Sequence, residues 1–159
     1  MLSFKKASLA DMRLYFEWAN DSIVREQSYN SGTIDLENHE NWFRSKLSDN
    51  SCMMVIFENE ENLKVGQIRI QKESDFEAVI GISIALEHRG KSYGKEMLEM
   101  ATDFFLRLNP NFTINAFIKE TNLSSKNVFE KAGFKFKEMR KYENFNSFHY
   151  IKKEQNENR

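Results

Sequence analysis

One stretch of the chain has residue types and spacing suited to gripping an anion. Arg89-Gly90-Lys91-Ser92-Tyr93-Gly94 stands between an apolar, strand-like run and a helical pattern that follows at once. A helix start leaves several backbone N–H groups without partners and carries a partial positive charge. A glycine-bearing turn in front of it lets the main chain come close to a diphosphate. Arg89, Lys91 and Lys95 add cationic side chains nearby. Alone, a strand–turn–helix with two glycines is as often an ordinary connection. Possible acid–base groups are scattered: His39, His88 and His149 have suitable intrinsic pKa values near 6.5, and Asn115 shares a strand face with Thr113 and Phe117. Each histidine reads first as structural. His39 is the preferred one, because it follows a polar loop suited to covering a substrate. Cys52, in the run CMMVIF, reads as a buried, inert thiol.

These groups need elements to hold them. Leu2 to Ala7 reads as a strand, and Ser8-Leu-Ala-Asp11 as a capping-box start to a helix with Leu9, Met12, Phe16 and Ala19 inward. Residues 20 to 33 read as a polar loop with one short helical turn, and Leu36 to Leu47 as a second helix with Leu36, Phe43 and Leu47 inward. The period then changes to two over Met53–Glu58, Leu63–Gln71 and Phe76–Ala85. A long helix covers Gly94 to Leu108, with Met97, Ala101, Phe104, Phe105 and Leu108 inward and Pro110 just past its end. Phe112–Lys119 reads as a strand, Ser125–Ala132 as a short helix stopped by Gly133, and Phe134–Lys141 with Ser147–Lys152 as a hairpin around ENFN. The order β-α-α-β-β-β-α-β-α-β-β is an α+β pattern: about seven strands in a mixed, mostly antiparallel sheet flanked by about four helices. Strands two to four must pair antiparallel, since their links are too short for crossovers, while the long helix allows a parallel crossover. Residues 1–152 form one domain in this reading, and 153–159 a polar tail.

Composition narrows the partners. The chain has 159 residues, with 23 basic and 24 acidic side chains that nearly cancel. That balance offers no general attraction to nucleic acid or to an anionic membrane. No stretch suits a signal peptide or a bilayer span, and the lone cysteine fits a reducing compartment. The expected location is cytoplasmic, as a monomer or homodimer that needs no metal.

The segment Arg89 to Gly94 resembles the acetyl-CoA pyrophosphate loop of the GNAT superfamily, with Arg89 and Gly94 matching its ends. Asn122-Leu-Ser-Ser-Lys-Asn-Val-Phe-Glu-Lys-Ala-Gly-Phe134 resembles the family's second signature. The resemblance covers nearly the whole chain, and the element order agrees with the GNAT fold. It implies an acetyl-CoA-dependent N-acetyltransferase acting on the primary amine of a small molecule. Main chain at Ile82, Ser83 and Ile84 would pair with the pantetheine arm. Amides of Gly90, Lys91, Ser92, Tyr93, Gly94 and Lys95 would cradle the diphosphate, with Arg89 at its edge. Asn122, Ser125 and Phe129 would contact the cofactor from the second signature. The sequence departs twice from the pattern: Ser92 replaces a usual glycine, and Phe129 stands where many members carry a tyrosine acid. Backbone N–H near Ile84 is the expected oxyanion donor. Glu77 falls near a strand position where some relatives carry a glutamate, and is the candidate base. Asn115 would orient substrate or water, and Ser125 or Tyr93 could supply a proton.

The N-terminal half carries a second resemblance. Trp18-Ala-Asn-Asp21, Val24-Arg25, Ser28-Tyr-Asn-Ser31 and Glu37-Asn-His39 to Trp42-Phe43 look like GNAT enzymes that acetylate nucleotide-linked amino sugars of the pseudaminic-acid type. On that reading Asn20, Ser28 and Asn30 bond hydroxyls, Trp18 or Tyr29 stacks on a ring, Arg25 meets a phosphate, and His39 lies near the acceptor. The bland reading has the tryptophans packing helices together and the asparagines capping turns. The branch that acetylates protein N-termini, including ribosomal proteins, is the nearest rival. Acylation of an antibiotic or polyamine, and a non-catalytic acetyl-CoA-binding module, are further alternatives.

Overall fold

The computed structural model describes residues 1–155. Seven strands form one sheet: β1 (Ser3–Lys6), β2 (Cys52–Glu58), β3 (Lys64–Lys72), β4 (Glu77–Ile84), β5 (Thr113–Lys119), β6 (Lys135–Tyr142) and β7 (Phe145–Lys153). Their spatial order is β1-β2-β3-β4-β5-β7-β6. Every pairing is antiparallel except β4 with β5. The helices are α1 (Met12–Ala19), α2 (Ser22–Gln27), α3 (Leu36–Leu47), α4 (Tyr93–Leu108) and α5 (Leu123–Lys131). This is the expected α+β architecture, with α2 as the helical turn foreseen in the polar loop. The last hairpin turns tightly on Glu143 and Asn144, both with positive φ. Residues 156–159 of the expected polar tail lie outside the described residues, and Lys153 belongs to β7.

Two cores sandwich the sheet. Val55, Phe57, Ile68, Ile70, Ile80 and Ile114 join Met97, Leu98, Ala101 and Phe129 beneath α4 and α5. Met54 and Ile56 meet Tyr15, Trp18 and Phe43 of α1 and α3 on the other face. Strand alternation sends even and odd residues to opposite faces, so the odd residues of β4, β5 and β7 look toward the α1–α3 side.

Two helix faces differ from the sequence expectation. Leu9 is 45% exposed, whereas Tyr15 and Trp18 of α1 are buried. A 3-10 turn over Leu9–Asp11 precedes α1. At about 3.0 residues per turn rather than 3.6 it rotates the phase of everything after it. The Ser8–Asp11 capping box itself is present. In α4, Phe104 and Leu108 face outward while Leu98 and Leu106 are buried. Phe104 instead meets Phe4 edge-on, with centroids 5.5 Å apart.

Gly66 sets the spacing of β3 against β4. A Cβ there would lie 2.5 Å from the Ser83 carbonyl oxygen and 2.9 Å from Met97 Cε. Backbone cannot yield as a flexible side chain does, so Gly66→Ala should destabilise the fold by about 1–3 kcal/mol. Urea melts of the two proteins check this; coincident midpoints would contradict the close approach.

Candidate active site

Strand β4 runs beside β5 for only three rungs, Glu77↔Thr113, Ala78↔Ile114 and Val79↔Asn115. Beyond Val79, β4 continues to Ile84 with no strand on that side, while β5 turns its pairing wholly to β7. The gap exposes a strand edge whose polarity follows from the other neighbour. The Ala85 N–H donates to the Val65 carbonyl at 2.8 Å, and the register pairs Ser83 with Gln67 and Gly81 with Arg69. Antiparallel hydrogen bonding alternates residue by residue, so those odd residues spend their main chain on β3. Ile80, Ile82 and Ile84 therefore aim N–H and C=O into the gap. Four residues of strand span about 13 Å, a length suited to an extended pantetheine arm. Of the expected trio Ile82, Ser83 and Ile84, Ser83 is turned the other way, its Oγ accepting from Gln67 at 2.9 Å.

The open edge leads to the anion turn. Gly90 has φ 76° and Ser92 φ 63°, so left-handed residues flank Lys91. Such alternation turns successive N–H groups toward one point, and α4 begins immediately after it. Ser92 thus occupies a conformation that favours glycine. Gly94, buried in the first turn, brings α4 against its neighbours: a Cβ there would sit 3.0 Å from Val128 Cγ1 and 3.3 Å from Ile84 Cδ1. Lys95 is paired along the helix with Glu99 at 2.6 Å.

Arg89, expected at the edge of the diphosphate, is anchored inside the protein, with its Nη1 left without a hydrogen-bond partner. Its Nε donates to the Ile84 carbonyl at 3.0 Å, and its guanidinium pairs with Asp21 at 3.0 Å. Asp21 also accepts from the Ile23 and Val24 amides at the start of α2. The Ile84 carbonyl thus accepts from Arg89 at the far end of the gap. Desolvation works against the Asp21 carboxylate, but the amides and Arg89 outweigh it and hold its pKa below the usual range.

The second signature folds as a capped helix. Asn122 Oδ1 accepts from the Ser125 N–H at 3.2 Å, and Gly133, φ 94°, stops the chain after α5. Ser125 is half-buried beside that cap. Phe129 is 4% exposed and meets Phe134 edge-on at 5.0 Å. It is a core residue with no proton to give.

Across the α1–α3 face of the sheet a polar chain crosses three strands where the gap begins. Asn115 Nδ2 donates to Glu77 Oε2 at 2.6 Å and to the Ala78 carbonyl at 3.2 Å. Asn115 Oδ1 lies 2.7 Å from His149 Nε2. Glu77 and Asn115 are thus brought together, and His149 joins them. His149 is 3% exposed, and burial, then Lys137 and Arg140, push its pKa below the ordinary value. Its ring stacks on Phe117 at 4.5 Å, and Phe117 stacks on Tyr142 at 3.9 Å.

Most of the residues expected to hold the acceptor are otherwise engaged. Asn20 gives Nδ2 to the Ile34 carbonyl and takes the Ile34 N–H, pinning the loop. Arg25 bonds the carbonyls of Ala19, Asn30 and Gly32 and the Ser28 hydroxyl. Ser28 in turn donates to Val24, and the Asn30 side chain accepts from Gly32. Trp18 is 8% exposed in the core under α1. His39, 3% exposed among Phe16, Trp42 and Phe43, bonds the Met12 carbonyl, and burial lowers its pKa. Its setting is the core between α1 and α3. A polar loop must satisfy its own backbone, and these side chains do that work here. Tyr29, half-buried, packs on the α1–α3 face of the sheet, with its hydroxyl 2.6 Å from Ser147 Oγ and its ring against Tyr142. Two cations on this face went unnoticed in the sequence. Lys119, 8% exposed, donates to the Glu26 carbonyl and lies 3.9 Å from the Phe145 ring, and Arg140 covers Phe117 at 5.5 Å.

Among the described residues no group of three or more His, Cys, Asp and Glu side chains could hold a metal ion, and no helix is long and apolar enough to cross a membrane. No curated protein matches the chain. Solved structures with the same fold include a spermidine N-acetyltransferase from Vibrio cholerae with CoA and spermine (TM-score 0.84, 15% identity, 94% of this chain and 93% of that one). They include an aminoglycoside acetyltransferase with coenzyme A and kanamycin (TM-score 0.82, 17% identity, 96% and 95%). A domain from Methanocaldococcus jannaschii is 23% identical (TM-score 0.80, 95% and 97%). At these identities the likeness speaks for the fold. The family itself follows from residues 2–135, which match the model of the acetyltransferase (GNAT) domain. This chain therefore belongs to the GNAT acetyltransferases, enzymes that take their acetyl group from acetyl-CoA.

Proposed function

We propose that this enzyme acetylates the primary amine of a nucleotide-linked amino sugar. The reading rests on the charge of the acceptor face. Arg69, Lys119 and Arg140 each lie over an aromatic ring, those of Trp42, Phe145 and Phe117. Lys119 is spent on the Glu26 carbonyl, but the exposed Arg140 and half-buried Arg69 suit an acceptor that brings phosphate.

The residues divide the chemistry as follows. Acetyl-CoA supplies the thioester, held by the anion turn and the β4 edge. The arm length places the reacting carbon toward Val79, so the Ile80 and Ile82 amides, rather than that of Ile84, meet the charge developing on its oxygen. Glu77 takes the proton that the amine sheds as its nitrogen bonds the carbonyl carbon, and Asn115 holds that carboxylate. The carbon–sulfur bond breaks, and the thiolate takes its proton from water. A thiol of pKa about 8.5 is a fair leaving group without a tyrosine acid.

A thiol-release assay against a nucleotide-linked amino sugar, an N-terminal peptide, spermidine and kanamycin tests the reading. The sugar should show a kcat/KM at least about tenfold above the others, a modest margin for a charged subsite. Turnover confined to peptide, polyamine or kanamycin would overturn it, and no turnover at all would favour the acetyl-CoA-binding module.

A further inference from the structure

The polar chain at the mouth of the gap fixes more than two side chains. Asn115 Nδ2 faces the Glu77 carboxylate and the Ala78 carbonyl. Both can only accept when the carboxylate is ionised, so they determine which end of the amide is nitrogen. Oδ1 is then turned to β7, and the atom 2.7 Å from it, His149 Nε2, must carry hydrogen. In the neutral imidazole Nδ1 is left bare. It is buried without a hydrogen-bond partner, and the Glu138 carboxylate on β6 stands 3.9 Å away. Phe117 covers one face of the ring and supports this orientation of the imidazole.

A histidine kept only for packing has no need of this arrangement, since burying a polar nitrogen without a partner costs about 1–3 kcal/mol. The one polar contact His149 does make leads to Glu77. We propose that His149 is a positioning residue, whose Nε2–H locks the Asn115 amide so that its nitrogen holds Glu77 Oε2 and leaves Oε1 for the acceptor amine. This rests on the acetyl-transfer reading above and adds to it the residue that aims its base.

The groups around the ring bear on pH. Glu77 on β4 and Glu138 on β6 favour an imidazolium, while Lys137 and Arg140 on β6 and the loss of water oppose it. Either form keeps Nε2–H, so the lock does not depend on the charge of the ring. The wild-type pH profile should therefore show no histidine step.

Two variants separate the donor from the ring. His149→Phe keeps the stack on Phe117 and removes the donor, while His149→Gln restores an N–H near Asn115. His149→Phe should lower kcat about tenfold to a hundredfold with KM for acetyl-CoA unchanged, and His149→Gln should recover most of the loss. Long-range proton–nitrogen NMR of the wild-type ring should report the Nε2–H tautomer with or without substrate. An Nδ1–H tautomer, an unchanged kcat in His149→Phe, or equal losses in both variants with wild-type melting would each overturn the proposal. If no amine were acetylated, the reaction would fall, whereas the ring spectrum would still decide whether the lock exists.

Discussion

Glu77→Gln is expected to lower kcat for acetyl transfer by about a hundredfold to ten-thousandfold, the usual range for losing a placed general base. KM for acetyl-CoA should stay where it was. The substitution is nearly isosteric. A glutamine can turn its oxygen to Asn115 Nδ2, so the contact now made at 2.6 Å survives. What disappears is the capacity to take a proton from the attacking amine. Glu77 is the first residue of β4 and pairs across to Thr113, two residues short of the point where the strands part. It lies on the strand face away from α4, and the anion turn is at the far end of the gap, so cofactor affinity has no reason to change. Steady-state kinetics with the best acceptor, over a pH range, provide the check. A loss that shrinks as pH rises toward the pKa of the free amine would be the mark of a missing base, because hydroxide and solvent then deprotonate the nucleophile unaided. A kcat within about twofold of wild type at neutral pH would remove Glu77 from the mechanism, because a factor of two is worth only about 0.4 kcal/mol of barrier.

How much of this was legible in the sequence depends on the range of the interaction involved. The strands and helices follow local periodicity and caps, and Leu36–Leu47 begins and ends where its pattern predicts. The turn before α4 was legible for the same reason, since glycines, a serine and a helix start sit within six residues. Arg89 was not. Its partners are Asp21, 68 positions away, and a carbonyl that only folding brings near. In residues 20–33 the reverse holds, because side chains that looked free in the sequence have partners in the fold. Asparagine, serine and arginine there look like a ligand's partners because they are polar, but a loop with few strand or helix bonds needs those same groups for itself. His149 escaped notice because its meaning lies in register. It faces Asn115 34 positions away, and only the β5–β7 pairing reveals that the two share a face. Tyr15 and Trp18 show how little it takes to rotate a prediction, since one 3-10 turn ahead of α1 was enough.

Gly94→Leu should raise the Kd for acetyl-CoA by about a hundredfold or more. Gly94 is where three elements meet: the first turn of α4, Val128 of α5 and Ile84 at the end of β4. Even the first carbon of a side chain would press on the latter two at 3.0 and 3.3 Å. Methyl tips can yield by tenths of an ångström, so alanine would be absorbed, but a leucine has nowhere to go unless α4 lifts away. In the proposed binding mode the helix start and the β4 edge hold the two ends of one ligand, so moving either spoils both, and a displacement of about 1 Å is enough for a hundredfold effect. Gly90 supplies the contrast. It has φ 76° but open space where a Cβ would go, so Gly90→Ala meets conformational strain of about 1–2 kcal/mol and no collision. Its effect should appear mainly as lower stability, with a smaller change in Kd. Calorimetric titration of both folded variants with acetyl-CoA distinguishes a cradle that depends on the position of α4 from one that depends on turn conformation alone. Wild-type affinity in a well-folded Gly94→Leu protein would mean that the diphosphate is held somewhere other than the start of α4.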